Sequence, residues 1–341
     1  MAEPKIFNLF DEISPELDQW LNEKGEVLDL DANSVIVNEG EIIDFIFLLL
    51  QGELAINTTD ESGNTQCLAK VKRGTVVGEM SWLERRPPVA NIVSTTKGNG
   101  LKLYFNELDS LITSNPVLAR EWQYAIAKKL ALQINSQNAW IHRFNGTNKT
   151  VEPLRKVFVL FAELNDQDVN ILAQIGSLKR IAPGGTLINQ GEEVPSLFLL
   201  LAGEADIFVN IEGVNKNVGS SRRGELLGEL TLLIPDAKGA TATVKSKFGM
   251  EILELNKESL RIKMTENPEL GERFYRSLSC MLSQRSRDQL IGRGLASRSD
   301  QAEKLHQEDE LNFGQLSTIN SAGQRFSRLC KHFQTNSDGI Q

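Results

Sequence analysis

The sequence predicts a mainly β protein with appended helices, laid out as two tandem β-rolls or small barrels. Three observations predict it. The chain repeats itself at a period near 150 residues. Each copy strings short runs of Val, Ile, Leu and Phe between Gly, Asn and Asp. Each copy then ends in a long segment with apolar residues at helical spacing.

The repeat is read from three blocks in the same order. Val37-Asn38-Glu39-Gly40-Glu41 matches Ile188-Asn189-Gln190-Gly191-Glu192, a shift of 151. "DFIFLLLQGELAI" from Asp44 matches "PSLFLLLAGEADI" from Pro195 at the same shift. "KRGTVVGEMSWL" from Lys72 matches "RRGELLGELTLL" from Arg222 at a shift of 150. A period of that length suits whole domains rather than a solenoid. The expected organisation is a first domain over 1–144, a linker over 145–153, a second domain over 154–291 and a polar tail over 292–341.

Within the first copy, Ser14-Pro15 offers an N-cap followed by Pro at the first helical position. The unbroken apolar runs Phe45–Leu50 and Leu197–Ala202 suit strands buried on both faces and are far too short to span a membrane. Closing helices are expected over about Val117–Phe144 and Pro268–Ile291. Their aromatics, Trp122, Tyr124, Trp140, Phe274 and Tyr275, sit at helical spacing and read as core. The tail is rich in Ser, Gln, Asn and Arg with scattered apolar residues, and reads as a mobile segment, with docking on a partner as the alternative.

Composition narrows the function. A net charge of −8 gives no basic field for nucleic acid, so none is expected as a partner. The start "MAEPKIFNLFDEISPEL" has no basic region or apolar core of a signal peptide, and a cytoplasmic protein is expected. Cys67, Cys280 and Cys330 are odd in number and far apart, which suggests neither a disulfide framework nor a zinc site. His142, His306 and His332 lack Cys or carboxylate at ligand spacing, so no metal is assigned. No nucleophile elbow, P-loop or paired-acid motif appears, and an enzyme is not expected.

The ordered motifs resemble the cyclic-nucleotide-binding domain of catabolite activators, protein kinase A regulatory subunits and nucleotide-gated channels. The resemblance covers roughly residues 8–144 and 154–291. It implies an eight-stranded β-roll (a double-stranded β-helix, jelly-roll-like) with helices at both ends, and a phosphate-binding cassette. That cassette reads Gly-Glu, four mostly apolar residues, a loop, then Pro-Arg-x-Ala-Thr. In the family, a short helix aims backbone N–H groups at the cyclic phosphate. The Glu accepts from the ribose 2′-hydroxyl and the Arg pairs with a phosphate oxygen.

Carried onto this sequence, the first pocket takes Gly78, Glu79, Met80, Ser81 and Ala90. Pro87 matches the motif Pro, Pro88 stands at the Arg position and Asn91 replaces Thr. The second takes Gly228, Glu229, Leu230, Thr231 and Thr241, with Ala240 at the Arg position. Arg85 and Arg86 in the first copy, and Lys238 in the second, are the cations near enough in sequence to substitute. Loss of one charge-assisted bond weakens binding by about 1.5–3 kcal/mol rather than abolishing it. The ligand is therefore cAMP, cGMP or another cyclic nucleotide, or a different small effector, or none, with both Gly-Glu turns structural.

A second binding-type copy occupies the place where a catabolite activator carries its helix-turn-helix. The residues ahead of the first copy hold no Arg-Arg pair, so kinase inhibition by a basic segment is not expected. No apolar run suits a channel. The remaining reading is a non-enzymatic regulatory protein that senses a small effector and changes a partner interaction. The alternative is a ligand-free scaffold or self-assembling protein. The partner is an unknown protein, and the closing helices are candidates to pair two chains.

Overall fold

The computed structural model describes residues 7–59, 65–143, 159–211, 213–235, 239–291 and 313–337. The chain divides into two compact units. The first holds residues 1–134 and 282–312, the second 135–281 and 313–341.

The first unit opens with helix α1 (Pro15–Lys24), where the Ser14 hydroxyl caps Leu17 N–H as its sequence predicts. Eight strands follow: β1 (Glu26–Leu30), β2 (Val35–Val37), β3 (Phe45–Gln51), β4 (Glu53–Thr59), β5 (Thr65–Lys72), β6 (Val76–Val77), β7 (Asn91–Ser94) and β8 (Gly98–Tyr104). They form two antiparallel sheets, ordered β1-β8-β3-β6 and β2-β7-β4-β5. Gly52, at φ 102°, carries the chain from β3 into β4 and so from one sheet to the other. A Cβ there would lie 3.0 Å from Lys97 O, so the left-handed turn and the close backbone both call for glycine. Leu30, Val37, Phe47, Leu49, Leu54, Val77 and Ile92 form the core of the roll. Ile46 and Leu48, on the other face of β3, are equally buried. That double burial is what the unbroken apolar run of β3 requires.

Helix α2 (Glu79–Glu84) lies between β6 and β7, and α3 (Phe105–Ser114) and α4 (Pro116–Arg143) follow β8. The buried face of α4 includes Ala119, Trp122, Ile126, Leu130 and Ile134, and Trp122 meets Trp82 edge to face at 6.4 Å. The side chain of Trp140 lies outside the described residues.

The second unit repeats this plan with longer strands. Helix α5 (Val159–Glu163) and α6 (Asp166–Ile175) precede β9 (Gly176–Ile181) and β10 (Thr186–Ile188). Strand β11 (Ser196–Ile211) then runs where β3 and β4 were separate, and β14 (Thr243–Asn256) where β7 and β8 were. Between them lie β12 (Val214–Arg222), β13 (Leu226–Leu227) and α7 (Glu229–Leu233). Register shifts between Leu200 and Ala202, and between Gly203 and Ala205, bend the β11–β14 pair instead of breaking it. The core comprises Ile188, Phe198, Leu200, Ala205, Val244, Met250 and Ile252 with their neighbours. Helix α8 (Lys257–Glu266) and α9 (Pro268–Ile291) close the copy. Phe274 and Tyr275 are core residues of α9, as their spacing predicts. Arg273 of α9 forms a two-point ion pair with fully buried Asp168, which also completes the capping box of α6.

The expectation of a mobile tail is corrected over 313–337, while residues 292–312 and 338–341 lie outside the described residues. Residues Phe313–Ser337 form helix α10, which packs on α5 and α6. Ala322, Phe326 and Leu329, one face of that helix, are each 1% exposed. Phe326 meets Phe161 edge to face at 5.1 Å, and Arg325 donates to Phe161 O at 2.9 Å. Arg328 holds Asp166 at 2.6 Å and, by that hydrogen bond, keeps its carboxyl below the usual range. Among the described residues no helix is long and apolar enough to cross a membrane, and no His/Cys/Asp/Glu group could hold a metal.

Candidate functional site

Both Gly-Glu turns fold alike. In the first unit β6 pairs Val76-Val77 with Leu48 and Phe47, which delivers Gly78 to the rim of the roll. Gly78 sits at φ 87°, ψ −4°, and its carbonyl accepts from Trp82 N–H to start α2. A Cβ on it would lie 3.0 Å from Phe45 O. In the second unit Gly228 takes φ 87°, ψ 7° ahead of α7. The next residue is buried in both, Glu79 at 2% exposure and Glu229 at 5%. A buried carboxylate needs a partner. Glu79 has Lys129, donated by α4 fifty residues along the chain, with side chains 3% and 11% exposed.

The residues at the missing-arginine position are structurally equivalent. Pro88 O accepts from Gly40 N–H at 2.9 Å, and Ala240 O from Gly191 N–H at 2.8 Å. Asn91, which replaces the motif Thr, accepts from Glu39 N–H at 2.9 Å. Thr243 makes the matching bond with Gln190 N–H at 3.0 Å. The loop frame therefore survives in both copies although the guanidinium does not.

Two of the substitute cations, Arg85 and Arg86, are engaged elsewhere. Arg85, itself at φ 53°, ends α2 and places both Asp109 oxygens within 2.7 Å of one guanidinium nitrogen. It also stacks 5.2 Å from the Phe105 ring centroid, and Asp109 accepts from Trp82 Nε1 as well. Arg86 lies 4.0 Å from Glu84. Lys238 falls outside the described residues. Met80, Leu230 and Thr241 are half-buried, and Ala90 is buried. The Ser81 hydroxyl is buried with no hydrogen-bond partner among the described residues.

Three charged residues near the cassettes, Lys129, Arg287 and Lys257, escape a sequence reading. Arg287, within the first unit, donates to Glu84 at 2.8 Å and to Pro87 O at 2.9 Å. Glu84 also accepts from Ser283. Burial pushes the Arg287 guanidinium below its ordinary range, and Glu84 opposes this. In the second unit Lys257 donates to Thr231 Oγ1 at 2.5 Å and to Val194 O. Burial first, and Arg261 second, push its pKa down to about 8, against the pull of Glu193 and Glu229. Thr231 in turn donates to Gly228 O at 2.8 Å. Each of these partners is far away in sequence, and only the repeat alignment, which pairs Lys129 with an apolar residue, hints at one of them.

Comparison with known proteins decides the family. The profile of the cyclic nucleotide-binding domain matches residues 27–115 and 178–267, just over half of the chain. The chain belongs to the cyclic nucleotide-binding domain family. Among curated relatives, a cGMP-dependent protein kinase of Caenorhabditis briggsae is 25% identical over 230 residues. That match covers 67% of this chain and 26% of the kinase. A cAMP-dependent protein kinase regulatory subunit of Emericella nidulans is 22% identical, over 66% of this chain and 49% of the subunit. The chain thus spans between about a quarter and a half of the length of these relatives. The solved regulatory domain of Toxoplasma gondii PKA with cAMP is 15% identical, with a TM-score of 0.32, over 82% of this chain and 92% of that one.

Proposed function

We propose that this chain is a non-enzymatic regulatory protein that senses a cyclic nucleotide or a related small effector and passes occupancy on to a protein partner. One observation carries the reading. Twice, a left-handed glycine puts a buried glutamate at the start of a short helix on the rim of the roll. A buried carboxylate is expensive to keep, and keeping two at equivalent places favours a shared task, acceptance of a sugar hydroxyl. The relatives' names make cAMP and cGMP the first candidates.

A second reading, a ligand-free scaffold, draws on Pro88 and Ala240 at the arginine position and on Arg85 being held by Asp109. Calorimetric titration of the folded protein with cAMP, cGMP and cyclic dinucleotides separates the two. Sensing requires saturable micromolar binding that is lost in Glu79→Ala or in Glu229→Ala. No heat from any of them, on protein with an intact unfolding transition, leaves the scaffold.

A further inference from the structure

We infer that a basic cleft in the second unit, between α10 and the turn from β12 to β13, is a further binding site, for the phosphoryl group of a ligand other than the cyclic nucleotide. The cleft holds about 760 Å³, the size of a small-molecule site. Arg223 enters it from the turn, and Arg328 and Lys331 from α10. Asn320, Gln324 and Ser327 add neutral donors and acceptors. Among the described residues no carboxylate lines it, and no cassette residue does. The chain carries a net charge of −8, so three cations lining one cleft run against its composition.

Arg223 is fixed in place but not neutralised. It lies over the ring of fully buried Phe326, 5.0 Å from the centroid. Such a contact holds a guanidinium without using up its N–H donors. Its side chain donates only weakly, from Nη2 to Cys330 Sγ at 3.9 Å, and among the described residues no carboxylate pairs with it. On α10, Arg328 and Lys331 are three residues apart and share a face. Asp166 holds Arg328 at 2.6 Å, but Arg325 also lies 3.4 Å from that carboxylate, so one acid serves two guanidiniums. Glu251, whose charge reaches Cys330, is itself paired with Arg180 at 2.8 Å. Arg223 and the shared Asp166 thus leave the cleft with an excess of positive charge.

The repeat separates what is structural here from what is added. Arg73, at the equivalent turn of the first unit, lies over the Phe10 ring, 4.6 Å from its centroid. The arginine on an aromatic ring is therefore common to both copies. The residues around the ring differ: Phe10 is followed by Asp11 and Glu12, whereas Phe326 has Arg325 and Arg328 close by in the chain. Two guanidiniums and an ammonium suit a group with several charged oxygens, a phosphate, better than a single carboxylate.

The test is calorimetric titration of the full chain with inorganic pyrophosphate in ~0.1 M chloride, which screens diffuse surface attraction. One saturable equivalent is expected. Arg223→Gln and Lys331→Gln should each weaken it about tenfold or more, the loss of one charge-assisted bond. Arg73→Gln should bind as the wild type does, and saturating cAMP should not displace pyrophosphate. Hydrogen exchange over α10 should slow when pyrophosphate is bound. Should Arg223→Gln release α10, seen as lost protection over 313–337 without ligand, the exposed Lys331→Gln decides. Vesicles of phosphatidylcholine with a phosphatidylinositol bisphosphate separate two sources. Binding to them as well as to pyrophosphate, weakened by Lys331→Gln, assigns a lipid headgroup, and binding to pyrophosphate alone assigns a soluble ligand. No saturable heat from pyrophosphate, binding that Lys331→Gln leaves unchanged, or displacement by cAMP overturns the inference and leaves the sensing reading untouched. Saturation by a Glu-rich peptide in place of pyrophosphate also overturns it, and assigns the cleft to an acidic protein surface.

Discussion

Lys257 shows how one side chain can report on its cassette. It is the first residue of α8, 7% exposed, with its ammonium on Thr231 and Val194. Burial, with Arg261, lowers its pKa from 10.5 to about 8. Below pH 8 the folded and unfolded chains both carry the proton, and the penalty for burying the cation stands in full. Between pH 8 and 10.5 the unfolded chain keeps its proton and the folded chain loses it, so stability rises with pH. At ~1.4 kcal/mol per unit, the relief across that window is about 3 kcal/mol. Urea unfolding of the wild type and Lys257→Met from pH 7.5 to 10.5 measures it. The wild type should gain on the variant by that order, and a constant difference would show that the buried ammonium is not destabilised. The residue scale is also where sequence reading is most uneven. Gly78-Glu79 and Gly228-Glu229 are legible because a turn and its buried carboxylate are adjacent in the chain. Lys129 and Lys257 are not, because nothing local to a lysine tells which distant carboxylate or hydroxyl it will meet.

Among the elements, those with strong local signals are the ones the sequence predicts well. The closing helices, α4 and α9, follow their apolar periodicity to within a residue or two, and β3 follows its unbroken apolar run. The continuity of β11 is not visible, because Gly203 reads as a turn while the structure absorbs it as a shift in register. Helix α10 is hidden for another reason. Its polar composition resembles a loose tail, and among its described side chains Ala322, Phe326 and Leu329 form the buried face. Such a helix gains its stability from docking rather than from its own propensity. Phe326 is the central anchor, packed on Phe161 and covered by the Arg223 guanidinium 5.0 Å from its ring centroid. Phe326→Ala should cost about 3–5 kcal/mol, typical of a buried aromatic. That exceeds what a single helix face can spare, so hydrogen exchange should show protection lost over 313–337 and retained in β11 and β14. Unchanged protection of α10 would mean that contacts other than Phe326 hold it.

At the scale of the whole chain, the duplication is the clearest thing the sequence carries, since identical turn chemistry recurs at a fixed offset. What the offset does not carry is which residues complete which unit. The first unit includes residues 282–312 as well as 1–134. Within it, Leu282 is fully buried, Ser283 and Arg287 bond Glu84, and Arg287 also holds Pro87 O. The Glu84 side chain is 2% exposed, so removal of Arg287 leaves a buried carboxylate whose remaining counter-charge among the described residues is Arg86 at 4.0 Å. Removing one partner of a buried pair costs about 3–5 kcal/mol. A chain stopped after Met281 should therefore have a weakened first unit, although every strand and helix of that copy precedes the cut. A chain stopped after Ile291 should not. For a unit of this size, a loss of about 3 kcal/mol lowers the midpoint by roughly 6–12 °C. Trp82 and Trp122, both buried in the first unit, supply the fluorescence signal that follows it. Arg287→Ala in the full chain should reproduce most of the drop. If the two truncated chains melt together, the Arg287–Glu84 contact contributes nothing, and the first unit is complete without residues 282–291.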